Sequence, residues 1–180
     1  MVNSNLKALI ERFEIPEHSW DAIIVGDGSA TTWKKQLGWG SILIQRGQIF
    51  AIPFYGGMSH GTNNMAELMS VLHPLMYLCN AVEPTSGGCK VHVITDSQYV
   101  ANGLAVDSLL MSPLLQTNRE LWLAVFATVR KGMQITPHHM LRDTIDLNKV
   151  CHDLANIARK KQIDLTDDLK WDVQDVALGG

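Results

Sequence analysis

Asp21-Ala22-Ile23-Ile24-Val25 is an apolar run of strand length that stops at Gly26-Asp27-Gly28-Ser29. A second run, Lys90-Val91-His92-Val93-Ile94-Thr95, ends the same way, at Asp96-Ser97. Each run sets one carboxylate where a strand ends. Carboxylates gathered from distant parts of a chain suit a hard divalent cation, because Mg²⁺ prefers oxygen ligands. If the two strands lie side by side and parallel, Asp27 and Asp96 meet at their carboxyl ends. That is where α/β sheets place their ligands.

Residues 31–37 are polar and read as a turn. Residues 38–45 and 48–55 read as paired strands around Arg46-Gly47, and Pro53 demotes the second to an edge strand. With so little chain between them, the first three strands form an antiparallel meander. A helix follows, capped by Asn63 or Asn64, with Met65, Leu68, Met69, Leu72 and Met76 on its apolar stripe and Pro74 as a potential kink. Glu67, on its first turns, leans over the two aspartates.

Beyond Asp96 a short helix runs to Leu104. A longer one starts at Asn118, with Leu121, Ala124, Val125, Thr128 and Val129 on one face and Gly132 at its end. Residues 133–140 form a last strand weakened by Pro137. Asn148 caps a final helix through Lys161, with Val150, Leu154, Ile157 and Ala158 inward. The order β-β-β-α-β-α-α-β-α predicts an α/β fold: a five-stranded mixed sheet, strands 1-2-3 antiparallel and 1-4-5 parallel, with helices on both faces.

The 180 residues suit one domain with some chain left over. Residues 1–20 read as a helical extension packed on the domain, 21–162 as the domain itself, and 163–180 as an acidic tail. A 46% hydrophobic content supports a packed core. The net charge of −3 excludes nucleic-acid binding through bulk charge, so any such binding needs a local groove helped by metal ions. Cys79, Cys89 and Cys151 have no metal-type spacing and suggest reduced thiols in a cytoplasmic setting. No apolar run approaches a membrane span.

Four ordered segments now resemble type I ribonuclease H, over residues 21–159. Thr62-Asn63-Asn64-Met65-Ala66-Glu67-Leu68 is similar to the family's Thr-Asn-Asn-x-x-Glu-Leu motif, and Thr95-Asp96-Ser97-Gln98-Tyr99-Val100 to its Thr-Asp-Ser-x-Tyr-Val segment. Asp27-Gly28-Ser29 and Asn118-x-x-Leu121-Trp122 match as well. The resemblance implies hydrolysis of the RNA strand of RNA–DNA hybrids, with 5′-phosphate and 3′-hydroxyl products. It implies that Asp27, Glu67 and Asp96 hold two Mg²⁺ ions, with Mn²⁺ as a substitute, clamping the attacking and leaving oxygens. Asn63, Asn64 and Gln98, with Gly28, Ser29 and Thr62 beside them, would contact the hybrid. Side-chain amides suit an A-like minor groove, which displays 2′-hydroxyls and base-edge acceptors.

The chain departs from the family at three places. The family's fourth carboxylate follows an Asn by four residues, and here that position is His152, with Asp153 one residue late. One residue on a helix is about 100° of rotation. Spacing favours His152 as the residue facing the site, orienting a water or binding Mn²⁺; Asp153 reaching in as a metal ligand is the alternative. Many members carry a His in the preceding loop, where Arg142 is the nearer residue here and His138 and His139 lie too far upstream. An Arg binds phosphate but does not shuttle protons. Residues 105–117 hold no Lys or Arg, so the basic protrusion of some relatives is missing. Basic spots remain at Lys34-Lys35, beside Trp33, and at Arg159-Lys160-Lys161. Weak, salt-sensitive binding is expected unless a partner domain assists.

Two rival readings remain. An exonuclease or resolvase of the wider fold usually opens with Asp-x-Glu on its first strand, unlike Asp27-Gly28-Ser29. A non-catalytic nucleic-acid-binding module is the other; three intact carboxylates argue against it.

Overall fold

The computed structural model describes residues 4–33, 36–48, 50–81, 88–106, 117–142, 144–161, 164–165 and 171–172. Strands β1 (Ala22–Ala30), β2 (Leu37–Gln45) and β3 (Phe50–Met58) form an antiparallel meander. Strand β4 (Cys89–Thr95) pairs with β1 in parallel, and β5 (Met133–His139) pairs with β4 in parallel. The order β5-β4-β1-β2-β3 is the predicted five-stranded mixed sheet. Two short strands, β6 (Asp164–Leu165) and β7 (Trp171–Asp172), extend it along β3. They pair with Tyr55-Gly56 and with Phe50-Ala51, on either side of Pro53, which has no N–H to offer a neighbour. The rest of the acidic tail lies outside the described residues.

Among the described residues, five helices accompany the sheet: α1 (Ser4–Arg12), α2 (Asn63–Ala81), α3 (Gln98–Leu104), α4 (Arg119–Val129) and α5 (Asp146–Lys161). Side chains alternate across a strand, and β1 sorts accordingly. Ala22 and Ile24 join a core with Leu68, Val71 and Leu75 of α2 and Trp122 and Val125 of α4. Ile23 and Val25 join a second core with Cys151 and Leu154 of α5 and with Leu9, Ile15 and Trp20 of the N-terminal segment.

Several local readings change. Strand β1 does not stop at Val25 but runs through Asp27 to Ala30. Its glycines admit a close neighbour: a Cβ on Gly28 would sit 2.5 Å from the Glu67 nitrogen. The cap of α2 is Thr62, whose hydroxyl accepts from the Met65 N–H, so Asn63 and Asn64 are already helical. Met76 is exposed, and Val71, Leu75 and Leu78 fill the inward stripe. On α4 the inward face is Trp122, Val125 and Thr128. Asn118 precedes that helix in a left-handed conformation, φ 62°, and its side chain does not cap it. On α5 the helix opens at Asp146, so Asn148 is a buried interior residue. Leu147, Cys151, Leu154, Ala155 and Ala158 face inward while Ile157 is exposed. Helix α5 lies tight on β2, where a Cβ on Gly40 would meet the Cys151 carbonyl at 2.2 Å.

Candidate active site

Parallel pairing of β1 with β4 ends at Gly26 and Thr95. The next residue of each strand is an aspartate, so Asp27 and Asp96 emerge together at the carboxyl end of the sheet. Asp27 sits on the α5 side of β1, as Ile23 and Val25 do. Glu67 arrives from the other side, because α2 can approach the glycines of β1 closely. Its N-terminus is fixed by the Thr62 cap. One carboxylate oxygen from each of Asp27, Glu67 and Asp96 lies within 4.8 Å of the others. Among the described residues this is the one group of three or more His, Cys, Asp or Glu with metal-site spacing.

Burial makes the cluster electrostatically costly. Asp27 is 1% and Glu67 3% exposed. Burial, then the charge of Asp96, pushes the Asp27 carboxyl up to about 6, although His152 and Arg142 pull it back. Burial, then Asp27 and Asp96, holds Glu67 well above the usual carboxylate range. Glu67 accepts from the Asn63 amide at 3.2 Å and from the Gly28 backbone N–H. Asp27 Oδ1 and Glu67 Oε2 are buried with no hydrogen-bond partner. Buried acceptors in this condition call for a compensating cation or donor. The all-oxygen donor set fits a hard divalent ion.

His152 faces this cluster. Its Nδ1 lies 2.8 Å from Asp27 Oδ2. Asp153, one residue on, is exposed and belongs to no such group. The helix did not shift to bring it in, because Cys151, Leu154 and Ala155 hold α5 against the sheet in one rotation. The buried Cys151 thiol also donates to the Val25 carbonyl at 3.2 Å. Arg142 comes from the segment between β5 and α5. Its Nε donates to Asp96 Oδ2 at 3.2 Å, and Nη2 lies 3.9 Å from Asp27 Oδ1. His139 contacts the Asp96 backbone carbonyl at 3.2 Å, whereas His138 stacks on His92 in the sheet.

The remaining candidate residues divide. Asn63 is an exposed residue tied to Glu67, and Asn64 is half-buried beside it on the first turn of α2. Gln98 is exposed and donates to Asn102 along α3. Ser29 instead donates to Asn156 Oδ1 at 3.0 Å, and Arg159 donates to the same oxygen at 2.9 Å. That clamp between β1 and α5 escaped the sequence reading, since nothing in the spacing pairs residue 29 with residue 156. Lys34 and Lys35 lie outside the described residues; Trp33 before them is 92% exposed.

The arrangement can bind a cation through three carboxylates, orient one of them through an imidazole, and present a guanidinium beside them. Curated ribonucleases H of Cupriavidus metallidurans and Hahella chejuensis are 34% identical over 85 residues and 43% identical over 81. These stretches cover 47% and 45% of this chain and 52% and 49% of those proteins, so the chain spans about half the length of the curated relatives it matches. Among solved structures, the N-terminal RNase H domain of a Mycobacterium tuberculosis protein has a TM-score of 0.62 at 19% identity, covering 78% of this chain and 94% of that one. An RNase H1 in complex with an RNA/DNA hybrid gives 0.60 at 20%, covering 78% and 97%. These structural likenesses establish the fold. The RNase H family model matches residues 20–150, most of the chain, and with it this protein belongs to the RNase H family.

Proposed function

We propose that the chain is a divalent-metal-dependent endonuclease that hydrolyses the RNA strand of RNA–DNA hybrids, leaving 5′-phosphate and 3′-hydroxyl ends. The observation that carries this reading is the trio of Asp27, Glu67 and Asp96, the first two buried, where the parallel pairing of β1 with β4 ends. Family membership and the hybrid seen with a structural neighbour support the substrate.

Asp27, Glu67 and Asp96 would hold two Mg²⁺ ions, with Mn²⁺ as a substitute. When bound, such ions would supply activation of a water nucleophile and charge neutralisation at the leaving oxygen. The protein's own groups set the geometry. His152 engages Asp27 Oδ2 and leaves Oδ1 without a hydrogen-bond partner. Asn63 orients Glu67 through its amide and, with Asn64, Thr62 and Gln98, would contact the hybrid's minor groove. Gly28 keeps α2 close enough for Glu67 to arrive. Arg142 offers a fork for a phosphate. Ser29 serves the β1–α5 clamp in preference to substrate. The reduced thiols suit a cytoplasmic protein. With a net charge of −3, a partner domain would strengthen hybrid binding.

The test is cleavage of an end-labelled RNA strand annealed to DNA, in Mg²⁺ and in Mn²⁺, beside Asp96→Asn. Internal cuts in the native protein that vanish in Asp96→Asn support the enzyme. A hybrid that binds and is never cut in either metal favours a non-catalytic module.

A further inference from the structure

Arg142 lies against two of the three carboxylates that would hold a divalent ion. The guanidinium reaches Asp96 Oδ2 at 3.2 Å and lies 3.9 Å from Asp27 Oδ1. Asp27 Oδ1 is the buried oxygen that has no hydrogen-bond partner. Arg142 is thus a cation already seated at the mouth of a three-carboxylate site. It hangs from a short segment between β5 and α5, its side chain is 57% exposed, and it can leave without disturbing the core. His152 is different: it takes the opposite oxygen of Asp27, Oδ2, and does not compete for Oδ1.

We propose that Arg142 is a built-in counter-ion that competes with the divalent metal for Asp27 and Asp96. This inference rests on the metal reading above and adds a regulation of that same site. The metal must displace the guanidinium, so the protein alone binds metal more weakly than its carboxylates would allow. A phosphodiester of an incoming strand is a second anion within the reach of a long, exposed side chain. Nucleic acid that draws Arg142 away raises metal affinity, and by linkage metal raises affinity for nucleic acid. The site loads fully when substrate arrives. Arg142 here is a positioning residue with two successive anionic partners. Arginine suits the task because its charge persists at any working pH and its planar fork fits carboxylate and phosphate alike.

Calorimetric titration of Mn²⁺ into the full chain, without nucleic acid, tests the competition. The proteins are native, Arg142→Ala, Arg142→Lys and Asp96→Asn. The expected result is that Arg142→Ala binds Mn²⁺ about tenfold more tightly than native, the scale for removing one nearby charge from a solvent-screened site. Arg142→Lys falls between, since it keeps the charge and loses the fork. Asp96→Asn binds weakly or not at all. Cleavage assays then show Arg142→Ala saturating at lower metal concentration while kcat falls, a split that a merely structural role would not produce. Equal or weaker Mn²⁺ binding in Arg142→Ala, with Asp96→Asn impaired, overturns the counter-ion role and leaves the metal reading standing. No Mn²⁺ binding by any of the four proteins overturns the metal reading, and the competition with it.

Discussion

His152 Nδ1 meets Asp27 Oδ2 at 2.8 Å, joining the last helix to the first strand beside the three-carboxylate cluster. The contact decides between two adjacent residues of α5. Cys151, Leu154, Ala155 and Ala158 are buried against the sheet, which leaves residue 152 at the edge of the site and turns residue 153 to solvent. An imidazole there does what a fourth carboxylate would not. It favours the charged form of Asp27 without adding negative charge to a crowded cluster.

His152→Ala should therefore cost both stability and rate. Asp27 Oδ2 loses its partner while buried, worth roughly 1–3 kcal/mol. Cleavage should fall at least tenfold, the scale for a misaligned catalytic group. Asp153→Asn should stay within about twofold of native, as exposed substitutions usually do. Thermal melts and hybrid cleavage on the two variants check this; a failing Asp153→Asn beside an active His152→Ala would reverse the assignment.

The carboxylates were legible because each sits in a short, ordered motif, with Asp27 where the apolar run of β1 gives way to glycines, Asp96 just past β4 and Glu67 on the first turns of α2. The sheet order was legible for the same reason. The helix faces were read less well. Met76 and Ile157 fit the apolar period yet point outward, because α2 and α5 each pack on a sheet along only one line. On α5 that line is set by close approach to Gly40, which no period in the helix itself announces. Asn118 opens α4 as its motif suggests, although in a left-handed conformation and without a side-chain cap bond, whereas Asn148 has the right residue type for a cap but the earlier start at Asp146 places it inside the helix. The contact of Arg142 with both aspartates depends on how the segment after β5 folds back, and no local pattern encodes it.

Gly28→Ala isolates the packing that brings Glu67 to the site. The added Cβ would lie 2.5 Å from the Glu67 nitrogen and 2.8 Å from the Ala66 carbonyl carbon. Both are backbone atoms, so α2 itself must move. Overpacking of this kind costs roughly 1–3 kcal/mol. The larger effect should be on turnover, because Glu67 shifts relative to Asp27. Melting and cleavage together check it: a melt lowered by several degrees with activity reduced more than tenfold is expected, and full activity would show that the close approach is not required.

Trp122 anchors α4 and, through it, the start of α3 beside Asp96. The ring is fully buried, and its Nε1 donates to the Tyr99 hydroxyl at 2.8 Å, which itself donates to the Thr117 carbonyl at 2.7 Å. Trp122→Ala should destabilise by about 3–5 kcal/mol. Trp122→Phe keeps most of the volume and strands only the hydroxyl contact, for about 1 kcal/mol. Chemical denaturation of both variants separates packing from hydrogen bonding; equal losses would mean the hydroxyl network dominates.

The raised Asp27 carboxyl makes metal-free stability depend on pH, with a definite sign. Its value in the folded protein is about 6, set by burial and then by Asp96, against 3.8 for the ordinary side chain. Between those values the folded state keeps a proton that the unfolded state has released. Stability therefore falls as pH rises across that window and levels off above it, by roughly 3 kcal/mol for this one group. Glu67 is raised as well and extends the fall to higher pH. Asp27→Asn removes the first contribution, so its melting temperature in EDTA should decline less between pH 4.5 and pH 7 than that of the native protein. Identical slopes would place the ionisable group elsewhere. Mg²⁺ acts in the opposite sense, because it binds the ionised carboxylates. At pH 8 it should raise the melting temperature of the native protein far more than that of Asp27→Asn, and the gain should shrink as pH drops below 6 and protons compete for the same oxygens.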